Sequence, residues 1–232
     1  MNTMIRYLTI ILICAAFVPP LAISQSALYA PPDPSTVTVA RLHYGGGGDW
    51  YWGGSALPNL MKFISSNTPI PVQTQTPPTV ELTSPELWSY PILFLTGHGN
   101  IRFSDLDLVL LRRYLDAGGF LIANDSYGMD PAFRREIARV FPDDPLVEIP
   151  WNYGLYHCYF DIPQGPPKIH EHDKGPPKGY GIFRDDRLVC FYAYESDIGD
   201  GWEDPEVHGD SEDVRRRALE MGANLIMWSL VQ

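Results

Sequence analysis

Histidine and aspartate side chains that follow predicted strands are the residues of this chain best suited to chemistry. His98 lies between two glycines at the end of the apolar run YPILFLTGHG, and Asp125 follows the apolar run FLIAN. Imidazole and carboxylate groups act as general acids, general bases or ligands where a cleft exposes them. The pattern predicts His98 and Asp125 as catalytic candidates. The structural alternatives are a loop-bonding role for His98 and an Asx-turn or capping role for Asp125.

The residues predicted to bind a ligand also follow predicted strands. They are Gly46, Gly47, Asp49, Trp50, Gly97, Asn124 and Ser126. A glycine loop ahead of a helix can hold an anion with backbone amides, but Asp49 would repel phosphate and the loop lacks a lysine. Aromatic rings beside a carboxylate suit a sugar better, because the rings stack on apolar sugar faces. A structural turn and a covered sheet edge are the alternatives.

The histidines of the segment IHEHD are weak candidates for a metal site, and neither a metal nor a cofactor is predicted. His170 and His172 are two residues apart, and with His157 or His208 they could bind zinc. The surrounding prolines favour a solvated, mobile loop instead. The segment ESDIGDGWEDPEVHGDSED has the composition of a calcium loop without its spacing, so a solvated acidic loop is expected there.

Alternating strands and helices must position these residues. The segment TVTVARLHY predicts a first strand, SALPNLMKFISSN a helix, TVEL a short strand, and YPILFLTGHG a strand buried on both faces. Ser104 is expected to cap a helix that Gly118 closes, FLIAN follows as a strand, and Pro131 begins another helix. This order predicts an α/β fold with a doubly wound, mostly parallel, flavodoxin-like sheet and helices on both faces.

Beyond Pro142 the pattern changes to proline-rich and glycine-rich connections. Two apolar segments, YHCYFDI and RLVCFYAY, are expected to be strands that extend the sheet or cap its edge. A helix beginning at Ser211 is expected to pack on the sheet. Its apolar positions are Val214, Ala218, Met221, Leu225 and Trp228.

The amino-terminal segment has the three parts of a secretory signal peptide. A positive charge in MNTMIR precedes an apolar run that ends at Pro19, and small residues follow. We therefore expect a signal peptide at 1–26, a proline-rich spacer at 27–35 and a single domain at 36–232. This places the mature chain in the periplasm or outside the cell, with no membrane span. An uncleaved amino-terminal anchor is the alternative.

The charge of the chain bears on its binding partners, and its cysteine content bears on disulfide formation. The formal net charge is −11, and the longest basic run is Arg215 to Arg217 on a predicted helix, so a nucleic-acid partner is not expected. Cys158 and Cys190 are the two cysteines beyond the predicted leader. In an oxidising compartment they could pair, or pack as small buried thiols.

Several motifs in order resemble one bacterial family. The segments RLHYGGGGDWY, LFLTGHG, LRRYLDAGGFLIANDS, RVFP and MGANLIMWSL are similar to domain of unknown function 4159, from about Val37 to Leu230. The resemblance implies a class I glutamine amidotransferase-like fold and an envelope setting, but no established activity. In amidotransferases of this fold a cysteine occupies the elbow after a strand, whereas this chain has Asn124, Asp125 and Ser126 there. Glutamine hydrolysis by that mechanism is therefore not expected.

Two functions remain open from the sequence. The first is an exported, non-catalytic module that binds a small molecule, a carbohydrate or an envelope protein. The second is a hydrolase of a carbohydrate or envelope substrate, with Asp125 and His98 as acid or base. Asp49, His98 and Asp125 are expected to gather at the carboxyl edge of the sheet, since parallel strands end on the same side.

Overall fold

The computed structural model describes residues 33–73 and 76–232. The predicted signal peptide and all but the end of the spacer lie outside the described residues. In the described part, no helix combines the length and the apolar character needed to cross a membrane.

A seven-stranded mixed sheet forms the centre of the fold. Its strands are β1 (Val39–His43), β2 (Thr79–Glu81), β3 (Ile92–Leu95), β4 (Phe120–Asn124), β5 (Val147–Glu148), β6 (Lys178–Arg184) and β7 (Arg187–Tyr194). The spatial order is β2-β1-β3-β4-β7-β6-β5. The first five strands of that order run parallel, and β6 and β5 form an antiparallel edge.

The described residues also form five helices and three short 3₁₀ turns, which lie between the strands or follow the last of them. The helices are α1 (Ala56–Asn67), α2 (Asp105–Asp116), α3 (Asp130–Val140), the four-residue α4 (Pro205–His208) and α5 (Glu212–Val231). Ser104 and Asp107 close a capping box at the start of α2, as the sequence predicts for Ser104. Such a box satisfies backbone N–H groups that have no partner inside the helix.

Helices cover both faces of the sheet because the central strands are apolar on both sides. In β3, Leu93 and Leu95 pack in one core cluster with α2 and α3, whereas Ile92 and Phe94 pack in the other with α1 and α5. Side chains alternate between the faces of a strand, so a strand without polar residues needs cover on each side. The predicted α/β class with a mostly parallel sheet is confirmed.

The segment YHCYFDI is not a strand, and that prediction is wrong. Gly154–His157 forms a 3₁₀ turn, and the residues after it have no regular structure. Their apolar side chains, including Phe160 and Ile162, instead pack against the α1–α5 side of the core. The segment RLVCFYAY is β7, but it lies beside β4 near the middle of the sheet rather than at its edge.

Candidate functional site

The carboxyl ends of β1, β3, β4 and β7 lie side by side at one edge of the sheet. The predicted catalytic and ligand-binding residues all lie at these ends, Asn124 as the last residue of β4 and the others in the loops that follow the strands. The proline-rich segment 163–177 joins them, because its Ile169 N–H bonds to the Ser196 carbonyl after β7. This carboxyl edge is where α/β sheets of this kind place ligands.

The glycine loop after β1 lies directly against the backbone of the loop after β3. Gly46 has φ +110°, and a Cβ there would lie 2.6 Å from the Arg102 backbone nitrogen. Gly97 has φ +132°, and a Cβ there would lie 2.5 Å from the Tyr44 hydroxyl. Gly47 also has a positive φ but faces open space. Close packing of two loops therefore accounts for glycine at positions 46 and 97.

Asp49 and His98 form a pair at the solvent-exposed part of the carboxyl edge. Asp49 Oδ2 lies 3.1 Å from His98 Nδ1, and Asp49 Oδ1 accepts the His98 backbone N–H. The pair is partly exposed, at 27% for the Asp49 side chain and 37% for that of His98. His98 Nε2 makes no hydrogen bond to any residue in the described ranges. The carboxylate therefore fixes the imidazole and leaves its second nitrogen available.

The three aromatic residues after Asp49 face different surroundings. Trp50 packs on the core and against His43, with ring centroids 4.2 Å apart. Tyr51 is exposed, and Trp52 is partly exposed with its ring edge-on to His98 at 4.8 Å. The buried Arg41 holds this turn by donating to the carbonyl oxygens of Trp50, Trp52 and Gly53. Tyr51 and Trp52, rather than Trp50, thus present aromatic surface to solvent.

Asn124 and Ser126 are fully buried beneath the edge. The Asn124 side-chain amide donates to Thr96 Oγ1, to Ser126 Oγ and, at 2.9 Å, to Asp197 Oδ1. Its oxygen accepts the Gly199 N–H at 2.8 Å. These bonds join the loops after β3, β4 and β7, so both predicted ligand-binding residues serve to hold the loops together.

Asp125 lies in a buried cluster with His172 and Asp197. Its Oδ2 accepts the Glu195 N–H at 2.9 Å and lies 3.7 Å from His172 Nδ1. The other nitrogen of His172 lies 3.1 Å from Asp197 Oδ2. Asp125 Oδ1 is buried without a hydrogen-bond partner in the described chain. Asp125 therefore pairs with His172, whereas His98 pairs with Asp49, although all three predicted residues lie at the same edge.

The charges in this buried cluster stabilise one another. Burial lowers the pKa of His172, but hydrogen bonds to Asp125 and Asp197 outweigh it and raise the pKa to about 10. Burial raises the pKa of Asp197, but hydrogen bonds from His170, His172 and Asn124 hold it below its usual range. His172 and Asp197 therefore form an ion pair at neutral pH.

The acidic segment is packed onto the edge at residues 195–203, so the expectation of a solvated loop is wrong there, whereas IHEHD is packed only in part, with Glu171 and Asp173 exposed. The His172 side chain is 5% exposed, and Glu195, Asp197, Asp200 and Glu203 are each at most 6% exposed. Lys168 of the proline-rich segment forms an ion pair with Glu195 of the acidic segment at 2.6 Å. This pair neutralises one charge of each segment. The sequence signal for this packing is Ile198 and Trp202 among the acidic residues, because an apolar residue inside a charged run anchors it to a core.

Glu195 and Asp197 also have left-handed backbone conformations, with φ of +55° and +56°. Such values are uncommon for residues other than glycine and cost free energy. They turn the chain sharply after β7 and aim both carboxylates inward. This strained turn lies directly beside His172, since Asp197 Oδ2 is 3.1 Å from His172 Nε2.

A third histidine group lies at the outer end of the cluster. His170 Nδ1 is 3.1 Å from Asp200 Oδ2, and His208 Nε2 is 3.5 Å from the same oxygen. Burial does not extend to the whole group, since His170 and His208 are partly exposed. Of the two partners suggested for His170, His208 is the neighbour, whereas His157 pairs with Asp161 at 2.5 Å.

Both cysteines of the described chain are free thiols away from the elbow after β4. Cys190 is fully buried within β7, and burial raises its pKa above the usual range. Burial also raises the pKa of Cys158 to about 11. A thiolate is the reactive form, so neither residue is placed or activated as a nucleophile.

Comparison with known proteins places the chain in a family. No curated protein matches the chain. The family model described as Domain of unknown function (DUF4159) matches residues 38–230, which include the whole sheet and all the loops of the carboxyl edge. The chain therefore belongs to the DUF4159 family.

Proposed function

We propose that this protein is an exported ligand-binding module that takes a hydroxylated, carbohydrate-type ligand at the exposed half of the carboxyl edge. The observation that carries the proposal is the Asp49–His98 pair. One imidazole nitrogen is fixed by the carboxylate, and the other has no hydrogen-bond partner in the described chain. Aromatic surface from Tyr51 and Trp52 lies beside it.

This combination matches the chemistry of sugars. A sugar ring has an apolar face that stacks on aromatic side chains, and hydroxyl groups that both donate and accept hydrogen bonds. The free nitrogen of His98 can donate or accept according to its tautomer, so it suits a hydroxyl. A phosphate ligand fits this site less well, because the Asp49 carboxylate repels it and the loop glycines other than Gly47 pack against the loop after β3.

A hydrolase is the second candidate, and Asp125 is the specific observation that favours it. One of its carboxylate oxygens is buried without a hydrogen-bond partner, beside the histidine His172. A buried, unsatisfied carboxylate oxygen is costly and often marks a functional group. In this hydrolase, His172 replaces His98 as the partner that the sequence suggests for Asp125. It requires the loop that carries His172 to open, since that side chain is 5% exposed.

Fold relationship and location are part of the same proposal. The order β2-β1-β3-β4-β7 along the parallel part of the sheet supports a flavodoxin-like, amidotransferase-like arrangement. The charge and apolar run of the first residues support export. Mass spectrometry of the native protein should find an amino terminus near Gln25 or Ala27. An intact Met1 in a cytoplasmic pool would refute export.

A glycan microarray followed by titration of the best-bound glycan tests the ligand proposal. We expect His98→Ala and Tyr51→Ala each to weaken binding at least tenfold while the fold is kept, because both side chains are partly exposed. Trp88→Ala is the matched control. Trp88 is an exposed aromatic that precedes β3 and therefore lies toward the opposite edge of the sheet.

Two results would contradict the ligand proposal. Binding that Trp88→Ala weakens as much as Tyr51→Ala does would point to non-specific aromatic contact. The absence of any bound glycan on the array would remove the carbohydrate assignment. Hydrolysis of an array glycan that Asp125→Asn abolishes would favour the hydrolase.

A further inference from the structure

Three side chains from separate segments converge at the outer end of the buried cluster. His170 comes from the proline-rich segment, Asp200 from the 3₁₀ turn after β7, and His208 from the end of α4. One ligand atom from each lies within 4.8 Å of the other two. None of the three takes part in the Asp49–His98 pair, so the group forms a second site.

The separations fit a shared ion. Three atoms that each lie about 2 Å from one tetrahedral ion are about 3.3 Å from one another. His170 Nδ1 and Asp200 Oδ2 are 3.1 Å apart, and His208 Nε2 and Asp200 Oδ2 are 3.5 Å apart. Two of the three separations thus match the spacing of a coordination shell, and the ligand atoms of the whole group lie within 4.8 Å of one another.

Two other atoms of these residues face groups of the kind that usually lie behind metal ligands. Asp200 Oδ1 accepts the indole N–H of Trp52 at 3.3 Å, which leaves Oδ2 for an ion. The second nitrogen of His170 lies 3.6 Å from Asp210 Oδ2. That oxygen is buried and has no hydrogen-bond partner in the described chain. A histidine that binds metal through Nδ1 carries its proton on Nε2, and a carboxylate commonly accepts it.

The surrounding charge favours a cation. Asp197 and Glu203 are buried next to the group, and Glu203 Oε2 lies 2.8 Å from His208 Nε2. Buried carboxylates need a positive partner or a metal ion. Lys168 is already paired with Glu195, and Arg215 bonds to the Glu203 backbone carbonyl.

We propose that His170, Asp200 and His208 bind one divalent transition-metal ion of the zinc type. Two imidazoles and one carboxylate are a donor set that zinc uses in sites with an open fourth position. The mixed nitrogen and oxygen donors select against magnesium and calcium, which prefer oxygen ligands alone. The ion ties the proline-rich segment to the turn after β7 and to α4.

Calorimetric titration of the full chain, freed of metal with a chelator, tests this site with ZnCl₂ and MgCl₂. We expect one zinc ion per chain and no heat of binding for magnesium. His170→Gln and Asp200→Asn should each weaken zinc binding at least a hundredfold. His157→Gln is the matched control and should bind zinc as the parent does, because His157 pairs with an aspartate outside the group.

A spectroscopic measurement on the parent chain keeps the proposal falsifiable if a variant fails to fold. Cobalt(II) in a four-coordinate site gives intense visible absorption, and added zinc should abolish it at one equivalent. Circular dichroism identifies the variants that keep the fold. No zinc binding, binding of equal strength in a folded His170→Gln or Asp200→Asn variant, or cobalt absorption without the four-coordinate intensity would overturn the proposal.

Discussion

At the scale of single residues, the carboxyl edge separates into an exposed pair and a buried network. Asp49 and His98 face solvent, whereas Asp125, His172 and Asp197 are enclosed. An exposed imidazole exchanges partners readily, and a buried ion pair does not. Binding is therefore assigned to the first group, and organisation of the loops to the second.

The buried pairing of His172 predicts a pH dependence of stability. Its pKa is raised to about 10, above the ordinary value of 6.5. The protonated form then stabilises the folded state fully below about pH 6.5, and this contribution is lost as pH rises toward 10. We expect the gap in free energy of unfolding between parent and His172→Gln to narrow over that range. Chemical denaturation with a chelator present measures it, and a constant gap would contradict the pairing.

Asp197 should matter for stability through its charge. Asp197→Asn weakens the bonds to His170 and His172 but keeps a side chain suited to positive φ. We expect a loss of about 1–3 kcal/mol in the free energy of unfolding. Asp185→Asn is the matched control, since Asp185 has φ +48° in an exposed turn. Equal effects in the two variants would show that the charge network contributes nothing.

At the scale of elements, close contact between the loops after β1 and β3 determines the shape of the exposed part of the carboxyl edge. In Gly46→Ala the added methyl group clashes with the Arg102 backbone, and alanine must also adopt a positive φ. Gly47→Ala requires the positive φ but causes no clash. We expect about 1–3 kcal/mol of destabilisation for the φ alone and clearly more for Gly46→Ala. Gly54→Ala, with neither problem, should be near neutral. Thermal unfolding ranks the three, and equal melting temperatures for the first two would contradict the packing.

Periodicity predicts the parallel half of the fold because each unit there is local. The apolar strands β3 and β4 and the capped helix α2 each show their pattern within about a dozen residues. The edge strand β6 and the loop positions of His170 and His172 depend on contacts made far along the chain. Charges in the acidic segment indicate solvent exposure when read alone, but Ile198 and Trp202 pack in the core and residues 195–203 are buried with them.

The candidate site is likewise predictable only where it depends on local sequence patterns. The sequence predicts that Asp49, His98 and Asp125 lie at one edge, because each follows a parallel strand. It does not predict which histidine contacts which carboxylate, since His172 reaches the edge from an irregular segment and His208 from the end of the four-residue helix α4. Only the His-x-His spacing and the acidic run signal those contacts.

At the scale of the whole molecule, a fold of the amidotransferase type is proposed without amidotransferase chemistry. We expect no release of ammonia from glutamine, because Asn124, Asp125 and Ser126 occupy the elbow and both thiols have raised pKa values. A coupled ammonia assay checks this. Turnover that disappears in Cys158→Ser or Cys190→Ser would show that a cysteine reaches the site after all.

Residue-resolved amide hydrogen exchange tests most directly the claim that two polar segments fold into an organised site. The amides of Ile169, Asp173, Glu195 and Gly199 bond across these segments to the edge. We predict strong protection at all four and rapid exchange at the exposed turn Asp185–Asp186. Exchange of the four amides as fast as that turn would mean that the segments are solvated, and the account of the carboxyl edge would be wrong.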